Sequence, residues 1–170
     1  MNKSLIFATL LLIAATATAQ IEIPIGWHIY DCKKTNGDLS GWAIVYNDDA
    51  ICGVLGDSNV WIIPPRFDFI KREVVAGKSY YIVNKVPVYG VYDGNGKELL
   101  PPVFDIIAIE KRCNNPKDVY FSIKRNGLWG VANSKGEIVV PMDYELPLLC
   151  KNGKYIAIDE RNRIIEFPAK

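Results

Sequence analysis

Short apolar runs rich in β-branched and aromatic residues follow one another along the chain, and Gly, Pro, Asn or Asp separates them. Runs of this kind are typical of β-strands that end in turns. The sequence has no stretch with helical periodicity and caps over three turns, and its ten prolines are scattered. The pattern therefore predicts an all-β fold with little helix, and its strands are expected at 60–63, 79–83, 88–92, 119–123, 138–140 and 155–158.

The segment 125–145 recurs along the chain. Aligning Gly130 with Gly90, forty residues earlier, brings three matched units into register once a further step of 37 residues is taken. A fourth, divergent copy follows at 151–170. A period near forty is typical of repeat architectures. The positions shared by the first three units are Gly53, Gly90 and Gly130; Asn59, Gly96 and Gly136; Pro64, Pro101 and Pro141; and Phe67, Phe104 and Tyr144.

Each shared position has a physical explanation. The Gly or Asn position tolerates a positive φ, which predicts a hairpin turn, and Asn162 takes this place in the fourth copy. Three residues earlier stands Gly56, Asp93, Asn133 or Asp159, and the side chains of the last three are expected to close Asx turns. In Trp129-Gly130 the ring is expected in the core, and the glycine lets a neighbouring backbone approach. The prolines are expected to end the returning strand, because proline donates no ladder hydrogen bond.

These features predict an array of about three and a half units, in which antiparallel hairpins stack as a curved, solenoid-like domain; an incomplete propeller or barrel is the alternative. A single domain is expected over residues 20–170. Its subdivisions are a lead-in cap at 20–43, with an edge strand at 21–25, units at about 44–78, 79–117 and 118–150, and a truncated unit at 151–170.

Residues 1–19 have the features of a secretory signal peptide: one basic residue, Lys3, then an apolar run, then Ala17-Thr18-Ala19. Cleavage there would leave 151 residues with no membrane span, in the periplasm, at the cell surface or in the medium. A retained N-terminal anchor is the alternative. Because Lys3 is the only charge removed, the formal net charge would fall from +1 to 0. This balance provides no electrostatic basis for binding nucleic acid.

Four cysteines follow the predicted cleavage site, and an even number in an exported chain permits two disulfides. Cys113 and Cys150 occupy equivalent linkers of adjacent units, which favours a bridge between them and leaves Cys32 for Cys52. The alternative is that Cys52 is a free, buried thiol. No CxxC pair or ligand-spaced histidine is present, so no metal or other cofactor is expected.

The repeats resemble the WG-repeat (KWG-repeat) proteins of bacteria. The likeness rests on Gly127-Leu128-Trp129-Gly130-Val131-Ala132-Asn133 with Pro141 and Tyr144-Glu145, and on Tyr89-Gly90-Val91 with Pro101-Pro102-Val103-Phe104-Asp105. It covers about residues 44–167, although only one unit keeps Trp-Gly itself. The resemblance implies a β-rich repeat domain without general enzymatic activity, and interaction with other molecules is the usual presumption.

Two hypotheses for function remain open. The first is an exported, non-catalytic module that binds a protein or glycan on its repeat face. Trp61 is its candidate binding residue, because it takes the place that Glu98 and Glu137 hold in other units and is therefore expected to face outward. The second is a small envelope hydrolase with a carboxylate pair drawn from Asp68, Asp105 and Glu145. Recurrence of these acids in every unit favours a structural role. The oligomeric state is not predicted.

Overall fold

The computed structural model describes residues 20–35, 38–110 and 118–168, and this part of the chain is built of β-strands and turns. The predicted all-β class is confirmed. Within these ranges no helix is long and apolar enough to cross a membrane. The strands are β1 (Trp27–Thr35), β2 (Asp38–Asn47), β3 (Cys52–Gly56), β4 (Trp61–Phe67), β5 (Phe69–Val75), β6 (Lys78–Lys85), β7 (Val88–Asp93), β8 (Glu98–Phe104), β9 (Ile106–Glu110), β10 (Tyr120–Arg125), β11 (Leu128–Asn133), β12 (Ile138–Tyr144), β13 (Leu149–Lys151), β14 (Lys154–Ile158) and β15 (Ile164–Pro168), with a 3-10 turn at Asp57–Asn59.

The strands form four sheets, each an antiparallel meander in chain order. The first sheet contains β1–β4, the second β5–β8, the third β9–β12 and the fourth β13–β15. One bend residue joins the first sheet to the second, Asp68, and one joins the second to the third, Asp105. The sheets therefore begin and end at these aspartates, about ten residues before the unit boundaries expected from the sequence.

The start of the array differs from the expected lead-in cap. The segment 20–43 contains all of β1 and the beginning of β2, so most of it belongs to the first sheet. Residues 20–25 form no strand, which corrects the expectation of an edge strand at 21–25. Ile21 is instead buried against Ala43, Val45 and Leu55 of the first sheet. These few residues cover the face of the first sheet that points away from the second.

Consecutive sheets bury their apolar faces against each other. Each sheet from the first to the third has an upstream face, marked by Leu55, Tyr92 and Ala132, and a downstream face, marked by Val54, Val91 and Val131. Val54 packs with Tyr92 between the first two sheets, and Val91 packs with Ala132 between the next two. Among the described residues, the core clusters join each sheet only to its neighbours in sequence. The units thus stack as separate sheets, as expected for a repeat array.

The predicted turn chemistry is confirmed in the structure. Asn59, Gly96, Gly136 and Asn162 all have φ between 58° and 85°. The Asn133 carboxamide accepts hydrogen bonds from the backbone N–H groups of Lys135 (2.9 Å) and Glu137 (3.0 Å). Asp93 and Asp159 make the same pair of bonds. Asn47 closes a further turn of this kind between β2 and β3, which the sequence alignment did not identify.

Two turn glycines also lie directly against the backbone of the preceding sheet. A Cβ on Gly136 would lie 2.0 Å from the Leu99 carbonyl oxygen of the preceding sheet, and a Cβ on Gly96 would lie even closer to the Ile62 oxygen. At the start of the array the equivalent Asn59 retains its side chain, which accepts a hydrogen bond from the Glu22 backbone N–H (2.8 Å). Glycine is therefore required where the turn lies against a preceding sheet. Asparagine is tolerated in the first unit, which has no preceding sheet within the described residues.

The prolines do not end the returning strands, which corrects the expectation from sequence. Pro64, Pro101 and Pro141 lie inside β4, β8 and β12, which continue to the buried rings of Phe67, Phe104 and Tyr144. These three are edge strands with irregular pairing to their neighbours, so a missing backbone donor is tolerated there.

The glycine of the aromatic-Gly pair lies close to the backbone of the edge strand that follows it in the same sheet, as predicted. A Cβ on Gly130 would lie 2.7 Å from the Val140 carbonyl oxygen, and one on Gly90 would lie 2.8 Å from that of Leu100. A Cβ on Gly53 would lie 2.8 Å from the Trp61 ring and 3.0 Å from the Pro65 backbone. Trp129 is half-buried at the edge of the core between the third and fourth sheets rather than fully enclosed.

The predicted bridge between Cys32 and Cys52 is wrong, because both residues are free thiols. Cys32 is the cross-strand neighbour of Ala43 and packs on the upstream face of the first sheet. Cys52 is buried on the opposite face. Burial, followed by the Asp68 carboxylate, raises the pKa of the Cys52 thiol. The alternative of a buried free Cys52 is thus confirmed. Cys113 lies outside the described ranges, so its bridge to Cys150 stays a prediction.

Candidate binding surface

Trp61 is only half-buried, but it does not stand free on an outward face. Its ring lies 5.2 Å from that of Trp27, centroid to centroid, and packs over the backbone of Gly53. Both tryptophans border the cluster of Ala43, Val45 and Leu55 that residues 20–25 cover. The position of Trp61 is therefore that of a capping side chain at the start of the stack, and its role in binding stays a prediction.

The strand register corrects the alignment from which Trp61 was expected to face outward. Trp61, Glu98 and Ile138 each begin the fourth strand of their sheet, so the equivalent residue of the third unit is Ile138 and not Glu137. Trp61 pairs with Leu55, whose side chain is on the capped upstream face. In the second sheet this position holds Glu98, whose carboxylate accepts a hydrogen bond from the Tyr92 hydroxyl (2.5 Å).

Exposed rings are found instead at the junction of the first two sheets. His28 of β1 and Tyr46 of β2 are direct cross-strand partners, and their ring centroids lie 5.2 Å apart. The His28 Nε2 atom lies 2.9 Å from a carboxylate oxygen of Asp48, which holds the imidazole against the tyrosine. The two rings and the carboxylate form a polar edge to this surface.

A second ring pair lies beside the first. Tyr30 occupies a β-bulge in β1, between the paired residues Ile29 and Asp31. Bulges redirect the side chain of the extra residue, and the Tyr30 ring meets that of Phe69 edge-on at 5.5 Å. Phe69 is the first residue of β5, directly after the bend at Asp68.

We call His28, Tyr30, Tyr46 and Phe69 together the aromatic surface. Tyr30, Tyr46 and Phe69 are 57%, 36% and 39% exposed, although each ring contacts another ring of the surface. Cys52 links the two pairs, because it is the cross-strand partner of Tyr46 and its thiol lies 3.6 Å from the Asp68 carbonyl oxygen. Exposed aromatic side chains held by their neighbours are common features of protein and sugar recognition sites.

Charged groups border the aromatic surface on β5. The Lys71 ammonium lies 2.7 Å from the Glu73 carboxylate, and this hydrogen bond is the main cause of the raised pKa of Lys71. Arg72, on the other face of the strand, stacks its guanidinium over the Trp42 ring at 4.4 Å. The surface therefore offers exposed rings beside fixed charges of both signs.

The three recurring acids lie at separate places in the stack. Asp68 and Asp105 occupy the bends after the first and second sheets, and Glu145 follows the third. The Asp68 carboxylate accepts a hydrogen bond from the Val86 backbone N–H (2.8 Å), a contact that supports the hairpin between β6 and β7. This is the kind of backbone role that their recurrence indicated.

Polar cavities lie along the row of Asx turns, and two of them differ in volume more than threefold. The larger, about 550 Å³, is lined by Lys78, Ser79, Tyr80, Asp93, Gly94, Asn95 and Ser134. The smaller, about 150 Å³, is lined by Asp143, Glu145, Leu146, Ile158, Asp159, Glu160 and Asn162. Hydrogen bonds from Arg163, first its backbone N–H and then its side chain, lower the pKa of Asp159. That carboxylate is therefore ionised and already paired.

Sequence reasoning missed three members of the aromatic surface, Tyr30, Tyr46 and Phe69. The first lies in a segment without a counterpart in the repeat, so no alignment assigned it to a strand. Phe69 aligns with Ile106, another exposed apolar residue that opens the first strand of its sheet. An exposed aromatic at this repeated position was the available signal, and it was not used.

Comparison with known proteins identifies the repeat. The family model described as "WG containing repeat" matches residues 89–108 and 129–146, which run from the aromatic-Gly pair of a unit to the beginning of the next sheet or just before it. No curated protein matches the chain. No solved structure matches it either. The two matched segments are the second and third units aligned from sequence, so the resemblance to WG repeats is confirmed there.

Proposed function

We propose that this WG-repeat chain is an exported interaction module that binds a protein or glycan through the aromatic surface. The repeat family suggests an interaction module in general terms. Export is inferred from residues 1–19, which have the arrangement of a cleavable signal. Binding without catalysis is inferred from the separate positions of the recurring acids and from Asp68, whose carboxylate supports a backbone turn.

The observation that carries the proposal is the pairwise packing of exposed rings at one sheet junction. Tyr30 and Phe69 hold each other edge-on, and His28 holds Tyr46, so the rings are ordered before any ligand arrives. Ordered aromatic side chains lose little conformational freedom on binding, which favours affinity. Their hydroxyl and imidazole groups add hydrogen-bonding capacity at the rim of an apolar patch.

Binding is tested with the double variant Tyr30→Ala plus Phe69→Ala. The wild type and the variant are compared on glycan arrays and by affinity purification from the extract and envelope of the source cells. The control is Val74→Ala plus Ile138→Ala, which removes two exposed apolar side chains at the end of β5 and on the third sheet. We expect the tyrosine–phenylalanine variant to lose at least about tenfold in affinity for any ligand found, as anchor residues do, and the control to bind normally.

Two outcomes would contradict this proposal. One is that the wild type retains no glycan and no protein under conditions where it is folded. The other is that a ligand is found whose affinity is the same for both double variants. A Trp61→Ala variant is added to the series, because a selective loss of binding there, without loss of stability, would move the site to the capped end of the stack.

Export and signal cleavage are tested separately from binding. Cell fractionation of the full chain, followed by mass spectrometry of the intact protein, is expected to find a polypeptide that begins at Gln20 outside the cytoplasm. Recovery of the uncut chain from the cytoplasmic fraction would contradict the assignment of residues 1–19 as a signal. Recovery of the uncut chain in the membrane fraction would support the retained anchor instead.

The hydrolase hypothesis is the second candidate, and the small acidic cavity is the observation that favours it. Asp143 and Glu145 line it together with Asp159 and Glu160. A glycosidase needs one carboxylic acid that is protonated at the working pH, and Asp159 does not meet this need because its pKa is lowered. Release of sugar from envelope polysaccharides by the wild type but not by Glu145→Gln would establish this activity.

A further inference from the structure

The fourth sheet is turned over relative to the other three. The Asx turn at Asp159 matches the turn at Asn133, which aligns β14 with β11 and Ala157 with Val131. Val131 is on the downstream face of the third sheet, but Ala157 points back at it in the same cluster. The third and fourth sheets therefore pack two equivalent faces against each other.

This inversion leaves an upstream-type face at the end of the stack. Leu149 aligns with Ile123, and Ile158 aligns with Ala132, both of which are 0% exposed beneath the preceding sheet. In the fourth sheet Leu149 is 70% exposed and Ile158 is 45% exposed. Positions that serve as sheet-to-sheet contacts inside the array are thus presented to solvent at its end.

We call this exposed face the terminal face. It is a single surface, because cross-strand pairing places Leu149 beside Ile156 and Ile158 beside Ile164. Lys154 and Glu166 lie on the same face and form an ion pair (2.5 Å). Lys151, the cross-strand partner of Lys154, is a further exposed charge on this face. An apolar strip with charges of both signs at its border has the composition of an interface.

The opposite end of the stack is closed. Ile21 is buried on the upstream face of the first sheet, with Trp27 and Trp61 packed beside it. Within the described ranges, the upstream faces of the second and third sheets are covered by the sheets that precede them. The terminal face has the same kind of residues as these covered faces, and none of the described residues covers Leu149, Ile158 or Ile164 in this way.

We propose that the terminal face is a dimer interface, on which a second copy of this chain packs its own terminal face. The stack already contains one pairing of equivalent faces, between the third and fourth sheets, and a twofold pairing of terminal faces joins equivalent faces in the same way. Such a contact is self-complementary, because the Lys154 of each copy can meet the Glu166 of the other. This dimer is independent of the ligand proposed for the aromatic surface.

The test is the mass of the purified protein in solution as a function of concentration. Sedimentation equilibrium of the wild type is expected to show a monomer–dimer equilibrium. The variant Leu149→Lys plus Ile164→Lys places two charges of the same sign on each terminal face, so we expect its dissociation constant to rise by at least about tenfold. The control Val74→Lys plus Val86→Lys changes two exposed valines, one on β5 and one in the turn between β6 and β7, and should dimerise like the wild type.

Folding of each variant is checked by circular dichroism, because exposed positions should tolerate lysine. If the lysine pair fails to fold, Leu149→Ser plus Ile164→Ser provides the same comparison without added charge. A wild type that stays monomeric at all concentrations would overturn the proposal, and so would a dimer that the terminal-face variants leave intact. A monomer that retains a different protein through this face would also overturn it.

Discussion

Glycine at the Asx turn has two separate tasks, and the structure distinguishes them. Gly136 needs a positive φ, and it must also leave room for the Leu99 carbonyl oxygen of the sheet before it. Gly127 has nearly the same φ but faces open space. The first glycine therefore serves the hairpin and the stack together, whereas the second serves the hairpin alone.

Replacing each glycine by alanine measures the two tasks. Gly127→Ala should lower the unfolding free energy by about 1 kcal/mol, because a Cβ is strained in a left-handed backbone conformation. Gly136→Ala adds a steric clash with the neighbouring sheet and should cost about 1–3 kcal/mol more. Urea denaturation of both variants gives the comparison. Equal losses would mean that the third sheet moves away from Leu99 without energetic consequence.

Two buried tyrosines differ in what their hydroxyl groups contact. The Tyr92 hydroxyl accepts a hydrogen bond from Arg66 and donates one to Glu98. The Tyr155 hydroxyl is buried and has no hydrogen-bond partner among the described residues. Burial, with smaller contributions from Glu110 and Tyr120, raises the pKa of Tyr155 far above its ordinary value, so the neutral phenol is the form present.

Tyrosine-to-phenylalanine variants at these two positions should act in opposite directions. Tyr92→Phe loses two hydrogen bonds and should reduce the unfolding free energy by about 1 kcal/mol. Tyr155→Phe removes a buried polar atom that lacks a partner and should raise the unfolding free energy by up to about 1 kcal/mol. Thermal and urea denaturation measure both changes. A destabilised Tyr155→Phe would show that its hydroxyl has a hydrogen-bond partner in solution.

At the scale of single elements, the capping segment 20–25 is short but its contacts are specific. The Ile21 backbone N–H bonds to the Leu39 carbonyl oxygen (3.3 Å), and the Glu22 N–H bonds to the Asn59 side chain (2.8 Å). The Ile21 side chain fills the upstream face of the first sheet, whereas Ile25 is fully exposed. Ile21 is therefore the fully buried side chain of this cover, and Ile23 packs beside it.

Alanine at the two isoleucines tests the cap. Ile21→Ala should lower the unfolding free energy by about 2–4 kcal/mol, the usual effect of truncating a buried isoleucine. Ile25→Ala serves as the matched control, since exposed substitutions change stability by less than about 0.5 kcal/mol. Chemical denaturation followed by tryptophan fluorescence is suitable, because Trp27 and Trp61 lie beside Ile21. A small effect of Ile21→Ala would argue against this segment as a cap.

Sequence predicted the hairpins of the repeat because their requirements are local: a residue that accepts positive φ, preceded by a side chain that can close the turn. It did not predict β1, since Trp27–Thr35 shows no apolar alternation and has no counterpart in the units. The aromatic surface was missed for the same reason, because its rings meet only when β1 pairs with β2 and β5 begins beside them. The prolines were misread because each of them lies on the last strand of its sheet, and the sequence does not show that the next strand joins a different sheet.

At the scale of the whole molecule, each sheet depends on its neighbours. Core clusters join the first sheet to the second, the second to the third and the third to the fourth. Stability in such a stack is approximately a sum of unit and nearest-neighbour terms. The inversion of the fourth sheet could not be predicted from sequence, because its Asx turn is the same as the others and only the face it buries differs.

The cysteines provide a prediction about the whole chain. Peptide mapping without reduction is expected to find Cys32 and Cys52 unpaired, because they lie on opposite faces of the first sheet. The same map should show Cys113 linked to Cys150, a bridge that would add about 3 to 4 kcal/mol of stability by closing a loop of some tens of residues. A linked Cys32–Cys52 peptide would require the first sheet to be rearranged.

The single aspartate between one sheet and the next has a consequence for how such a protein can change in length. A segment that runs from just after Asp68 to Asp105 enters and leaves its neighbours through joints of the same kind. Duplication of that segment in the gene would insert one complete sheet without requiring any new type of connection. The size of the array is therefore a property that evolution, or an engineer, can alter in whole steps while both ends of the molecule stay as they are.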